Sequence, residues 1–153
     1  MSELKQTIRQ DLTTAMKARD KLTTSALRML LSAIQAEETS GARHELDDAT
    51  VLKVIAREIK KRKESAEVYA QNGRQELADT ELAEAKVFEQ YQPAQLDDAE
   101  LEALAQDAVK EAAGDGEVSM KLMGNAMKIA TAKADGRADG KRLSAAVRAA
   151  LQG

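Results

Sequence analysis

The stretch YQPAQLDDAELEALAQDAVKEAA, Tyr91 to Ala113, decides the fold. It holds Pro93, the single proline of the chain. Proline biases the residue before it away from the helical region, so a helix arriving at Gln92 has to end there. Asp97 then stands as an N-cap with Glu100 three residues on, a capping-box arrangement. Beyond it Leu101, Leu104, Ala105, Ala108, Val109 and Ala112 recur at helical spacing, and Gly114 in "GDG" closes the run. Stop, linker and restart predict a domain boundary. The expectation is an all-α protein: an N-terminal four-helix domain over residues 1–93 and a small three-helix tail domain over 94–153.

Towards the N-terminus every periodic segment has the helical period and none alternates like a strand. A first helix follows Ser2, with Leu4, Ile8, Leu12 and Ala15 along one side. Leu27, Leu30, Leu31 and Ile34 mark a second, which gives way to the polar loop around Gly41. Asp47 or Asp48 can cap a long third helix striped by Leu52, Ile55, Ile59, Ala66 and Tyr69. That helix stops at Asn72-Gly73, residues suited to a left-handed cap. A fourth carries Ala78, Leu82, Ala85 and Phe88. Towards the C-terminus, Ser119 can cap a helix with Leu122, Ala126, Ile129 and Ala130. The last helix shows Leu143, Ala146, Val147, Ala150 and Leu151.

Between those last two helices lies KADGRADGKR, Lys133 to Arg142. A calcium loop starting at Asp135 would place Arg137 at a ligand position and Ala146 where a bidentate glutamate belongs, which excludes it. A Walker-type phosphate loop fails on glycine spacing and on Arg142 standing where a hydroxyl is required. What remains is a helix end at Gly136 and a helix start at Asp139. Two readings stay open on the residues alone. The turn is punctuation only, or Lys133, Arg137, Lys141 and Arg142 cluster at a helix N-terminus where a phosphate can dock.

Composition narrows the classes. Of 153 residues, 43% are hydrophobic and 32% charged, with Phe88, Tyr69 and Tyr91 the only aromatics. The absence of cysteine excludes disulfides, thiol catalysis and thiolate metal sites. No apolar run is long enough to span a membrane, and MSELKQTIRQ has no apolar h-region, so a cytoplasmic protein is expected. The net charge of −3 conceals a segregation. Residues 97–118 hold eight acids against Lys110, while residues 119–153 hold seven cations against Asp135 and Asp139. That local excess permits a polyanionic partner. With no aromatic in the tail, base stacking cannot contribute, so such binding would be electrostatic or shape-based.

Other candidates reduce to structure. REIKKRK, Arg57 to Lys63, reads as a solvated helix face with Glu58 and Glu64 as helical neighbours. His44 is a lone histidine in a polar loop, and Met120, Met123 and Met127 sit at helical spacing as core filler. Asp47-Asp48 and Asp97-Asp98 fall at helix starts, where capping explains them. No nucleophile elbow, metal-spaced His/Glu set or glycine-rich cofactor turn is present, so no catalytic residue, metal or cofactor is assigned.

Several blocks together resemble the GatB/YqeY family: residues 22–38, 51–84 and 91–104, "MGNAM" (123–127) and "GRADGKRLSAAVRAAL" (136–151). The likeness spans nearly the whole chain in order, and the last two blocks are the most specific. Smaller members resemble the C-terminal part of GatB, the B subunit of the glutamine-dependent amidotransferase acting on misacylated tRNA. There the homologous helical and tail domains are implicated in gripping tRNA. The resemblance implies a non-catalytic tRNA-binding module, with Lys133, Arg137, Lys141 and Arg142 as core contacts and Lys121, Lys128 and Arg148 outside them. It implies no catalysis, since the ATP- and metal-binding cradle has no counterpart here. The carbon–nitrogen ligase activity with glutamine as amido-N-donor belongs to the family. An accessory part in amidotransfer, with amidotransferase or aminoacyl-tRNA synthetase components as partners, is the first alternative. A structural protein-interaction bundle is the second.

Overall fold

The computed structural model describes residues 2–153, and the regular structure among them is helical, without a strand. Seven α-helices follow one another: α1 (Glu3–Lys17), α2 (Lys21–Thr39), α3 (Asp48–Gln71), α4 (Gln75–Glu89), α5 (Asp98–Ala113), α6 (Met123–Ala134) and α7 (Gly140–Gln152). A 3₁₀ turn, Met120–Leu122, precedes α6. The chain divides into two compact units, the second being Pro93–Gly153.

Short polar side chains set most helix starts. Ser2 Oγ accepts the Lys5 N–H at 3.0 Å, Asp47 Oδ1 that of Thr50 at 2.8 Å, and Asp97 Oδ1 that of Glu100 at 2.7 Å. Each satisfies a backbone donor that the helix itself leaves open. Gly73 at φ +74° and Gly114 at φ +55° follow the ends of α3 and α5, in conformations that L side chains rarely adopt. Ser119 behaves differently from the expectation. Its side chain makes no capping bond, and the 3₁₀ turn comes between it and α6.

Asp20 starts α2 with two bonds, accepting the Thr23 hydroxyl at 2.7 Å and the Thr23 N–H at 3.1 Å. These bonds, the hydroxyl's first, hold its carboxyl below the ordinary value of 3.8. A depressed folded value stabilises the protein above the unfolded value, and the benefit is lost as pH falls through the folded one. Asp20→Asn keeps an acceptor but cannot titrate. The loss of stability between about pH 4 and pH 2 should therefore be shallower in the variant, read from denaturant midpoints across that window.

The first unit packs α1–α4 around Ile8, Leu27, Leu30, Ile34, Ile55 and Phe88, all with no exposed surface. α3 and α4 form an antiparallel hairpin with the most extensive interface in the chain. Arg62 near the middle of α3 reaches Glu84, and Lys63 reaches Glu89. Leu82, expected in the stripe of α4, is 47% exposed because it sits at the edge of the arc defined by Ala78, Ala85 and Phe88. Arg62 goes the other way: expected on a solvated face, it is buried. Its guanidinium lies 4.6 Å from the centroid of the Phe88 ring and bonds Glu58 at 3.0 Å and Glu84 at 3.1 Å. Burial, and then the neighbouring Glu84 charge, push the Glu81 carboxyl above its ordinary range. Tyr91 donates to Asp11 at 2.7 Å, and burial together with that bond holds its phenol protonated.

The second unit is a three-helix bundle of α5, α6 and α7. Its centre is built largely from alanine: Ala105, Ala108, Ala126 and Ala130 are fully buried, with Val147 between them and the larger Leu101 and Leu143 flanking. Small side chains let helix axes approach at the short end of the usual range, so a core can close with few large residues.

Candidate nucleic-acid interface

The turn between α6 and α7 takes its shape from two left-handed residues. Asp135 at φ +46° and Gly136 at φ +80° close α6, so the stop expected at Gly136 is shared with the aspartate before it. Aspartate is one of the few side chains that tolerate this region. Asp139 then caps α7, its Oδ1 accepting the Arg142 N–H at 2.8 Å. A carboxylate therefore already occupies the N-terminus of α7, where a docking phosphate would have to sit.

The same turn receives the linker that opens the unit. The Leu96 N–H donates to the Arg137 carbonyl at 2.8 Å, and Gln95 Nε2 donates to the Gly136 carbonyl at 3.2 Å. Arg142 Nη2 returns to the Leu96 carbonyl at 3.0 Å and to Asp98 Oδ1 at 3.1 Å. A β-carbon added at Gly136 would stand 3.8 Å from Pro93 Cγ, an ordinary contact, so the demand for glycine is set by φ. PAQLD and GRADGKR, about forty residues apart, thus form one clasp.

This clasp sorts the seven candidate cations. Arg137 folds back on the end of α6, donating to the Ala134 and Lys133 carbonyls at 3.0 Å each. Cations at a helix C-terminus satisfy carbonyls that lack an intrahelical partner. Arg142 is the clasp residue described above. Lys133 pairs across to Glu111 of α5 at 3.1 Å, both side chains being about half exposed. Lys121, Lys128, Lys141 and Arg148 are exposed and take part in no ion pair among the described residues. Lys141 and Arg148, seven residues apart on α7, share a face about 10 Å apart along the axis. The sequence gathers seven cations into one stretch but does not distinguish the two arginines held by the fold from the cations without a partner.

Cap removal offers a direct check on the turn. Asp139→Ala strips the bond to the Arg142 N–H and should lower stability by about 1 kcal/mol. Asp139→Asn, which retains the acceptor, should lose much less, as read by chemical denaturation followed by far-UV circular dichroism.

Elsewhere the surface offers little chemistry. His44 is exposed, with Nδ1 2.7 Å from the Ala42 carbonyl. Among the described residues no three His, Cys, Asp or Glu side chains are grouped to hold a metal, and no helix is long and apolar enough to cross a membrane. A shallow groove of about 530 Å³ runs between α5 and α7, floored by Ala145, Ala146, Ala149 and Ala150 and edged by Asp98 and Glu102.

Fold and site define an all-helical protein whose last two helices present a basic surface beside an acidic helix. Comparison with known sequences makes the assignment specific: the chain belongs to the Yqey-like protein family, whose sequence signature matches residues 5–151. That family is related to the C-terminal region of GatB. The chain is 36% identical over 87 residues to Altered inheritance of mitochondria protein 41, mitochondrial, of Kluyveromyces lactis, covering 57% of this chain and 47% of the relative. The protein of the same name in Meyerozyma guilliermondii is 32% identical over 85 residues, covering 56% and 44%. An uncharacterized protein of Schizosaccharomyces pombe is 33% identical over 90 residues, covering 59% and 72%. The chain matches just under half the length of the two mitochondrial relatives.

These names overturn the cytoplasmic expectation. Four of the curated relatives are mitochondrial proteins by name, whereas a missing h-region speaks to secretion. An apolar h-region marks the secretory route alone. Mitochondrial leaders are amphipathic and arginine-rich, so hydropathy does not test for them.

Proposed function

We propose that residues 93–153 act as a non-catalytic tail module that holds the sugar–phosphate backbone of tRNA. The observation that carries this reading is the segregation of charge. α5 and its flanks take the acids, while the 3₁₀ turn, α6, α7 and the turn between those two helices carry seven cations, four of them exposed and without an ion pair among the described residues. The relation of the family to GatB supports the choice of tRNA over other polyanions. Lys121, Lys128, Lys141 and Arg148 make the principal phosphate contacts, and Lys133 adds a fifth. Arg137 and Arg142 shape the turn between them and contribute field rather than reach. Phosphate contacts position a nucleic acid without reading its sequence, and a tail without aromatics has no stacking platform. The module therefore recognises shape and charge.

Salt-dependent affinity for bulk tRNA tests the reading, with wild type set against the variant in which Lys121, Lys128, Lys141 and Arg148 are all changed to glutamine. Wild type that fails to bind at low salt, or a variant that binds as well as wild type, would reject it.

A further inference from the structure

We propose that Glu111 gates this basic surface: its carboxylate occupies Lys133 in place of an RNA phosphate and is displaced when RNA arrives. The inference rests on the RNA reading above.

The four cations at the turn differ in what holds them. Arg137 is bound by two carbonyls of α6, and Arg142 is bound by the Leu96 carbonyl as well as by Asp98. Arg142 cannot leave without undoing the clasp, nor Arg137 without uncapping the end of α6. Lys141 has nothing to release. Lys133 alone is held by one exchangeable partner, with Nζ 3.1 Å from Glu111 Oε2 and side-chain exposures of 40% and 58%. Such a pair is weak in water, because solvent screens it and two long side chains must be immobilised to make it. A phosphodiester presents the same single negative charge and acceptor oxygens, so it can replace the carboxylate at the lysine. Lys133 also lies in the last turn of α6, where the helix dipole favours a cation whichever anion it faces.

The consequence is an asymmetry among the acids of α5. All of them repel RNA through the general field, but Glu111 alone also competes for a specific contact. Asp107 on the same helix is exposed and pairs with nothing among the described residues, which makes it the control for field alone.

The test measures binding of the full chain to deacylated bulk tRNA by fluorescence anisotropy at fixed low salt. Glu111→Gln should bind about threefold more tightly than wild type, the scale of one exposed ion pair removed from competition. Asp107→Asn should change affinity by clearly less. In a Lys133→Gln background, Glu111→Gln should add no more than Asp107→Asn does, since the lysine it releases is gone. All these positions are exposed, and melting curves confirm that each variant folds. Equal gains from Glu111→Gln and Asp107→Asn would overturn the gate, as would a full Glu111→Gln gain that survives without Lys133. If neither wild type nor Glu111→Gln binds, the RNA reading falls and takes the gate with it. Binding by wild type with an unresponsive Glu111→Gln overturns the gate alone.

Discussion

Arg62→Ala is expected to destabilise the first unit by about 3–5 kcal/mol, the cost of leaving buried charge without its partner. Arg62 is 7% exposed, and its guanidinium is shared between Glu58 and Glu84, whose side chains are 11% and 14% exposed. Removing it strands two carboxylates in a poorly solvated place, with Glu81 close enough to Glu84 for its own carboxyl to be pushed up. The substitution also ends the stacking on Phe88 and the 3.6 Å contact to Met29 Sδ. Lysine should rescue little, because one ammonium cannot donate to both carboxylates and lie flat on a ring. Replacing Arg62 with Met while both glutamates become Gln should recover most of the loss, since buried ion pairs often yield to neutral side chains of similar volume. Tyr69 and Tyr91 both lie in the first unit, so tyrosine fluorescence during urea denaturation reads that unit specifically. A loss below about 1 kcal/mol for Arg62→Ala would show that water reaches the cluster and screens it.

The second large effect concerns binding. Changing Lys121, Lys128, Lys141 and Arg148 to glutamine is expected to weaken tRNA binding by roughly two orders of magnitude at about 0.1 M salt. The same variant should flatten the dependence of log affinity on log salt by about 3, because each lost phosphate contact removes the release of most of one counterion. The two readouts guard each other. A misfolded variant would lose affinity and its helical signal together, whereas loss of contacts lowers affinity and slope at unchanged stability. Substituting Arg137 and Arg142 instead would confuse the two, since Arg142 holds the clasp and Arg137 the end of α6.

Much of the local structure is legible along the chain. The caps at Ser2, Asp47, Asp97 and Asp139 stand where short polar residues precede an apolar period, because a helix start needs an outside acceptor within three residues. The helical period itself predicts an all-α protein, and the chain is one. Errors fall where a residue is judged by its own helix alone. Leu82 lies on the apolar side of α4 but at the rim of what is covered, and Arg62 belongs to a basic run yet points into the α3–α4 hairpin. Ser119 matches a cap by type, but the following residues take a 3₁₀ turn first.

For the candidate interface, the inventory is readable along the chain: seven cations, two aspartates and no aromatic within the last 35 residues, arranged as a helix stop and a helix start. Composition and spacing suffice for that, since charge and capping act over one or two turns. Tertiary structure decided which cations remain available. Arg142 is drawn into the clasp with residues 93–98, the Arg137 side chain closes on the end of α6, Lys133 is lent to Glu111, and the others face solvent. The hold on Arg142 and the pairing of Lys133 depend on contacts with segments tens of residues away in the chain. No local pattern encodes such distances, so the same run of charges reads alike whether its members bind the fold or a ligand.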